Sequence, residues 1–217
     1  MRLIFLGAPG AGKGTHAVRL CKQLDIVHIA TGDILRQAVE NKTEIGLKAK
    51  SYMDKGELVP DEVVIDIVLM RLQKEDCSKG FLLDGFPRTL KQAEELDLKL
   101  KDLILKIDSV VYFPVTEEVV IERITGRRMC PKCGANFHIK NIPPEVEGIC
   151  DKCGAELYRR KDDKDIETIK NRVKVFNQQS APLIEYYKEH DILKEIPDLN
   201  NIDKIYNAMI ADLGIVE

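Results

Sequence analysis

Gly7 to Thr15, reading GAPGAGKGT, follows directly on the apolar run Leu3, Ile4, Phe5 and Leu6. A short apolar run that breaks into glycine and then enters a helical pattern is a buried strand opening onto an anion-binding loop. Gly7, Gly10 and Gly12 let successive backbone N–H groups turn inward into a concave nest, Lys13 adds a cation beside them, and the helix that begins here aims its positive end at the same spot. In the pattern GxxxxGK[ST] a hydroxyl directly follows the lysine. Here Gly14 follows, so Thr15 stands one position beyond the usual magnesium neighbour.

Three further sets of residues could do chemistry. The apolar run Gly80 to Leu83 ends at Asp84, Gly85, Phe86, Pro87 and Arg88. In an open parallel sheet ligands lie beyond the carboxyl ends of the strands, which turns Asp84 and Arg88 toward the phosphate loop. Asp84 reads either as a carboxylate for magnesium and its waters or as a helix cap. Arginines form the second set: Arg123, Arg127 and Arg128, then Arg159, Arg160 and Arg172, with Arg36 in the stretch Thr31, Gly32, Asp33, Ile34, Leu35, Arg36. Taken alone, that stretch is a helix capped by Thr31 or Asp33 with a solvated arginine one turn on. The third set is two CxxC knuckles, Cys130/Cys133 and Cys150/Cys153, each followed by glycine and separated by sixteen residues. That spacing fits a four-thiolate zinc site, closed to water and therefore structural, with disulfides and redox chemistry as weaker readings in a chain that looks cytoplasmic. Between the knuckles, Asn136, Phe137 and His138 either touch a nucleotide base or fill the insert. Cys21 reads as core, and Cys77 has no assigned role.

These residues need a frame to hold them. Helical stripes at Lys13 to Leu24, Asp61 to Lys74, Thr89 to Leu100, Thr116 to Thr125 and Ile202 to Leu213 alternate with apolar runs at Leu3 to Leu6, Ile26 to Ile29, Gly80 to Leu83, Val110 to Phe113 and Ile192 to Ile196. Strands alternating with helices indicate an α/β fold with a parallel sheet. Residues 42 to 59 continue as a helix through Tyr52 and Met53, and Gly56 to Pro60 closes that excursion. With 217 residues, 44% of them hydrophobic, the chain can bury one principal core with smaller excursions attached. The N-terminus goes straight into a strand and no apolar run has the length of a membrane span, so the expectation is a soluble cytoplasmic protein. A net charge of -3 argues against a general nucleic-acid binder. Between Arg123 and Arg172, however, twelve Lys and Arg stand against eight Asp and Glu, so this part of the surface seeks anions.

GAPGAGKGT, TGDILR from Thr31 to Arg36, FLLDGFPRT from Phe81 to Thr89, GRR from Gly126 to Arg128 and RKDD from Arg160 to Asp163 together resemble the signatures of bacterial adenylate kinases of the long-lid type with a zinc-bearing lid, nearly end to end. The resemblance implies the P-loop nucleoside monophosphate kinase fold: a five-stranded parallel sheet flanked by helices, with a helical AMP-binding insert and a small zinc-bound β lid. It implies a core of residues 1–29, 60–125 and 164–217, an AMP-binding domain at 30–59 and a lid at 126–163. The implied reaction is magnesium-dependent transfer from ATP to AMP giving two ADP, with Zn2+ structural in the lid on Cys130, Cys133, Cys150 and Cys153. By the resemblance Gly10, Ala11, Gly12, Lys13, Gly14 and Thr15 hold ATP phosphates. Arg123 and Arg127 reach them from the lid side, and Asn136, Phe137 and Asn200 lie near the rest of ATP. Thr31, Arg36, Gly85, Phe86, Pro87, Arg88 and Gln92 hold AMP with backbone from Glu57, Leu58 and Val59, while Arg160 and Arg172 reach over the reacting phosphates. Lys13, Asp84, Arg88, Arg123, Arg127, Arg160 and Arg172 form the implied catalytic set. One departure stands out: Asp163 and Arg172 are one residue further apart than the common family spacing. No nucleic acid or membrane partner is implied, and monomer is the family expectation. The competing readings are a kinase for another nucleoside monophosphate and a zinc-ribbon nucleic-acid-binding ATPase.

Overall fold

The computed structural model describes residues 1–199 and 201–215. At its centre lies β1 (Arg2–Leu6), flanked by β3 (Phe81–Asp84) and β4 (Ser109–Tyr112), with β2 (Val27–Ala30) and β7 (Leu193–Glu195) at the edges; every pairing is parallel, in the order β2-β3-β1-β4-β7. Because side chains alternate along a strand, β1 feeds two cores. Ile4 and Leu6 join Ile29, Leu83, Val110 and the apolar face of α4 (Asp61–Leu72), α5 (Leu90–Asp102) and α8 (Pro182–Glu189). Leu3 and Phe5 face the other way, onto Leu82, Val111, α1 (Lys13–Leu24) and α9 (Ile202–Asp212). Near-continuous apolar strands are what a sheet covered on both faces requires.

Two excursions leave this frame. The first is a pair of helices, α2 (Thr31–Glu40) and α3 (Glu44–Lys55); where the sequence reading continues one helix through residues 42 to 59, the chain breaks at 41–43 and the second helix ends at Lys55. Lys42 takes a left-handed backbone at φ 53, and the Thr43 side chain caps the next helix by accepting from the Gly46 N–H at 3.1 Å. The second follows α6 (Glu117–Thr125): β5 (Arg127–Met129) pairs antiparallel with β6 (Asn136–His138), extended by single bridges at Met129 and Tyr158 and at Ile149 and Glu156. After it, α7 (Ile166–Val175) widens into a π turn at Phe176–Ser180 before α8 begins at Pro182. Pro182 has no N–H to donate to a preceding turn, and the wider turn, closed by Ala181 N–H donating to Phe176 O at 2.9 Å, carries the chain on without it. No helix among the described residues is long and apolar enough to cross a membrane.

Candidate active site

The carboxyl ends of β1 and β3 meet side by side, Phe5 opposite Asp84, and the loop between β1 and α1 bends over them. Gly10 in that loop has φ 80, and a Cβ there would lie 2.9 Å from Ile124 Cγ1, so both the backbone angle and the space demand glycine. Gly12 caps α1 without a side chain, which leaves the first N–H groups of the helix facing the cavity. Lys13 folds back across the loop, donating to Gly7 O at 2.6 Å and Ala8 O at 2.9 Å. Burial, reinforced by the charges of Arg88, Arg172 and Arg127, lowers its ammonium to about 8 although Asp84 pulls the other way. Asp84 does not cap a helix; it ends β3, with His28 Nε2 3.4 Å from its Oδ2. Burial pushes Asp84 upward, but the His28 ring nitrogen beside it and the charges of Lys13 and Arg88 outweigh it and hold the carboxyl below its usual range. A Cβ on Gly14 would stand 3.5 Å from that carboxylate, an ordinary contact, so no close approach explains glycine where a hydroxyl residue commonly follows the lysine.

This loop forms one wall of a cavity of about 890 Å3. Arg36, Arg88, Arg123, Arg127, Arg160 and Arg172, drawn from five separate stretches of chain, line the same cavity. Arg127 makes a two-pronged pair with Asp163, Nε to Oδ2 at 2.8 Å and Nη2 to Oδ1 at 2.6 Å. Arg172 reaches the same carboxylate at 3.0 Å and Asp162 at 3.1 Å, so its side chain enters the cavity. Arg160 pairs with Asp33 at 3.2 Å, and Arg36 pairs with Asp33 and lies 3.9 Å from Asp162. Arg123 sits on α6, held by both oxygens of Asp198 at 3.0 and 3.1 Å and by Ala11 O at 3.3 Å. Arg88 forms no ion pair among the described residues. Its Nε donates to Gly85 O at 2.8 Å, and burial with the nearby charges of Arg172 and Arg36 lowers it to about 10.

A smaller cavity of about 70 Å3 adjoins the first, lined by Thr31, Arg36, Glu57, Leu58, Val59, Gly85, Arg88 and Gln92 among others. Thr31 is not a helix cap, since Ala30 holds that position. Its hydroxyl instead donates to Gly85 O at 2.8 Å, tying α2 to the loop after β3. Asp33 likewise caps nothing and is spent on Arg36 and Arg160. Gln92 is pinned at both ends, accepting from the Arg88 N–H at 2.7 Å and donating to Asp61 Oδ1 at 2.7 Å.

Of the sequence-derived site residues, Gly10 to Thr15, Asp84, Gly85, Pro87, Asn136 and Phe137 all border the larger cavity. Phe86 does not: it is 1% exposed and packs into the core beneath the loop, supporting its neighbours without facing either cavity. Asn200 lies outside the described residues. Phe137 both edges the cavity and fills the insert, packing on Cys130, Ala135 and Cys150. His138 is structural: Nδ1 accepts from the N–H groups of Lys140 and Asn141, each at 3.1 Å, leaving Nε2–H for Glu122 O at 3.3 Å. Sequence reasoning missed Ser180, whose hydroxyl donates to Arg88 O at 2.8 Å from the π turn, and His16, which borders the cavity one residue past the loop. A serine two residues before a proline in a helical pattern was the only signal for the first.

The four knuckle sulfurs lie within 4.8 Å of one another, the closest contacts being Cys130 to Cys153 at 3.4 Å and Cys133 to Cys150 at 3.6 Å. Both knuckles have one geometry: Gly134 and Gly154 at φ 70, with N–H groups donating to Cys130 O at 3.0 Å and Cys150 O at 2.8 Å. The sulfurs are too far apart for disulfides, which need about 2.05 Å.

The family model described as adenylate kinase matches residues 5–192. An adenylate kinase of Caldicellulosiruptor bescii is 60% identical over 215 residues, covering 99% of this chain and 100% of that relative. One from Carboxydothermus hydrogenoformans is 53% identical over 209 residues, 96% of this chain and 97% of the relative. One from Archaeoglobus fulgidus is 55% identical over 213 residues, 98% of each.

Proposed function

The chain belongs to the adenylate kinase family, a nucleoside monophosphate kinase that transfers a phosphoryl group reversibly from ATP to AMP, and from that premise we propose how its residues divide the work. The observation that carries the reading is the convergence of Lys13 and six arginines on one cavity walled by the phosphate loop. Gly10 to Thr15 take the phosphates of magnesium-bound ATP, with Asp84 and Thr15 facing the magnesium that arrives with it. The smaller cavity, together with the end of the larger one that it adjoins, takes AMP: Thr31, Arg36, Arg88, Gln92 and the backbone of Glu57 to Val59 line the smaller space, and Arg36, Gly85 and Arg88 border both.

Phosphoryl transfer asks the protein for alignment and charge stabilisation. The attacking phosphate oxygen of AMP is already largely ionised at neutral pH, because its second pKa lies near 6, so no general base is required. Lys13, Arg88, Arg127, Arg160 and Arg172 offset the repulsion between two anions and the charge that develops in transfer. Asp162, Asp163 and Asp33 hold those guanidinium groups in place before phosphate does. Water competes as acceptor, so residues 30–59 and 126–163 close over the core formed by 1–29, 60–125 and 164–217; lid closure of this kind is an established property of the family.

Zinc fits the lid. Tetrahedral thiolates at about 2.3 Å from the ion stand roughly 3.8 Å apart, close to the sulfur separations of the two knuckles. Cys130, Cys133, Cys150 and Cys153 would hold it, and with four protein ligands its contribution is to fold the insert. We further propose a cytoplasmic monomer. The relatives do not favour a kinase for another monophosphate or a nucleic-acid-binding ATPase.

ADP formation from ATP with AMP, UMP and CMP tests the reading, with AMP expected to be the best acceptor. Lys13→Met and Arg88→Ala should each lower kcat by about a hundredfold or more, the scale seen when one preorganised donor is lost. Near-normal turnover in both variants would refute these roles.

A further inference from the structure

His16 is 3% exposed, and its imidazole stacks on Phe113, with centroids 5.6 Å apart and planes 4° apart, and on Tyr206 at 6.3 Å and 19°. Nδ1 is sealed with no hydrogen-bond partner, and Nε2 makes none among the described residues. The ring nevertheless borders the larger cavity, and a Cβ on Gly12 would lie 3.8 Å from both Cδ2 and Nε2. Buried polar side chains in folded proteins are almost always paired, so one clamped by aromatic rings with a free nitrogen beside a cavity calls for a ligand. A phenylalanine would fill the same slot and leave nothing unpaired.

The chemistry of the ligand follows from the ring's charge. Burial, with Arg123 and Arg19 nearby and only Asp203 opposing them, lowers His16 to about 4, so the imidazole is neutral at working pH. A neutral ring adds nothing to the attraction for phosphate that Lys13 and the arginines already provide. An orphaned N–H is tolerated less well than an orphaned lone pair, so the proton belongs on Nε2, at the cavity. Beyond Gly12 that end of the cavity is bounded by Arg123, Asn201, Ile202, Asp203 and Ile205, where one arginine stands beside one aspartate in place of the gathered arginines.

We propose that His16 Nε2–H donates a hydrogen bond to the uncharged nucleoside portion of the phosphoryl donor, making His16 a specificity-determining residue of the donor half of the cleft. This rests on the reading that Gly10 to Thr15 take the donor phosphates.

Calorimetric titration of His16→Phe with ATP and with inorganic tripolyphosphate tests it, alongside thermal melting and steady-state kinetics. The expected result is ATP binding weakened about fivefold to tenfold, the range of one hydrogen bond, with tripolyphosphate binding and the KM for AMP within twofold of the parent. The melting temperature should hold or rise, since two unpaired nitrogens leave the interior. His16→Gln, which restores a donor, should recover part of the loss. With 2′-deoxyATP the difference between parent and variant persists if the acceptor is on the base and disappears if it is the ribose hydroxyl. ATP binding unchanged in His16→Phe, or ATP and tripolyphosphate weakened alike, would overturn the proposal. Should the phenylalanine variant not fold, His16→Leu removes the same nitrogens and is read in the same way. A parent chain that bound neither ligand would instead sink the donor-site reading.

Discussion

Asp163→Asn tests whether the arginine ring is held by carboxylates. Asp163 is 0% exposed, accepts two bonds from Arg127 and one from Arg172, and also takes a bond from Arg159 on its backbone carbonyl. The asparagine keeps the shape and removes the charge. Breaking a buried pair by removing one partner destabilises by about 3–5 kcal/mol, chiefly because the other charge is stranded. Arg172 retains Asp162 at 3.1 Å, so Arg127 carries most of the damage and the lower end, about 3 kcal/mol, applies. A chain of this size shifts its Tm by roughly 2–4 °C per kcal/mol, which gives a fall of about 6–12 °C by differential scanning calorimetry. Nucleotide phosphates supply the missing negative charge. A bisubstrate dinucleotide polyphosphate should therefore raise the Tm of the variant by more than it raises that of the parent. A variant melting within about 2 °C of the parent, or gaining no more from the ligand, would refute the reasoning.

Lys13, lowered to about 8, loses its charge in the empty loop as pH rises through that value, while bound phosphate favours the charged form. Tripolyphosphate affinity should fall with pH above about 8 in the parent and hold in Lys13→Arg; a flat parent profile from pH 7 to 9.5 would refute it. Gly126→Ala would bring a Cβ within 2.2 Å of His138 Nε2, displacing the ring from Glu122 O and tilting the lid. It should destabilise by about 1–3 kcal/mol in chemical denaturation, with the loss partly relieved in combination with His138→Ala. On the proposed zinc site, chelation verified by elemental analysis should lower the Tm, because an ion bound only by the folded state adds to stability; unchanged melting after metal loss would leave the knuckles without a structural role.

The phosphate loop and the cysteine knuckles were legible in the sequence because local spacing alone specifies each, and Arg88 could be placed at the cavity because it follows the carboxyl end of an apolar strand. Glycines at fixed offsets make the nest, and two cysteines three apart make a knuckle. The parallel sheet was legible too, since its apolar strands are set off by helical stripes. What escaped depended on partners far along the chain. Thr31 and Asp33 have the residue types of a helix cap, yet their side chains go to Gly85 and Arg160, 54 and 127 positions away. Phe86 lies in a signature stretch but points into the core with Leu83, because the left-handed backbone of Gly85 at φ 80 breaks the alternation that β3 would have carried on. Ser180 acquires its role only from the π turn that turns its hydroxyl toward Arg88.

The acidic residues beside the arginines show why the site can be assembled before its substrates arrive. Guanidinium groups gathered into one buried cavity repel each other, and burial disfavours each charge: Arg88 and Arg160 are both lowered to about 10. Carboxylates offset this, and Asp162 is in turn held below its usual range because Arg172, Arg36, Arg160 and Arg127 outweigh the upward push of its burial. Some of these pairs join separate excursions, Arg160 to Asp33 and Arg36 to Asp162, so the two flaps meet through ion pairs. A nucleotide must therefore exchange with carboxylates already in place. On the proposed roles, a lone phosphate would replace one partner and strand another, whereas the triphosphate of ATP and the phosphate of AMP bound together would satisfy Arg36, Arg127, Arg160 and Arg172. The same acids that keep the empty cleft folded thus bias it toward a pair of substrates over either one alone.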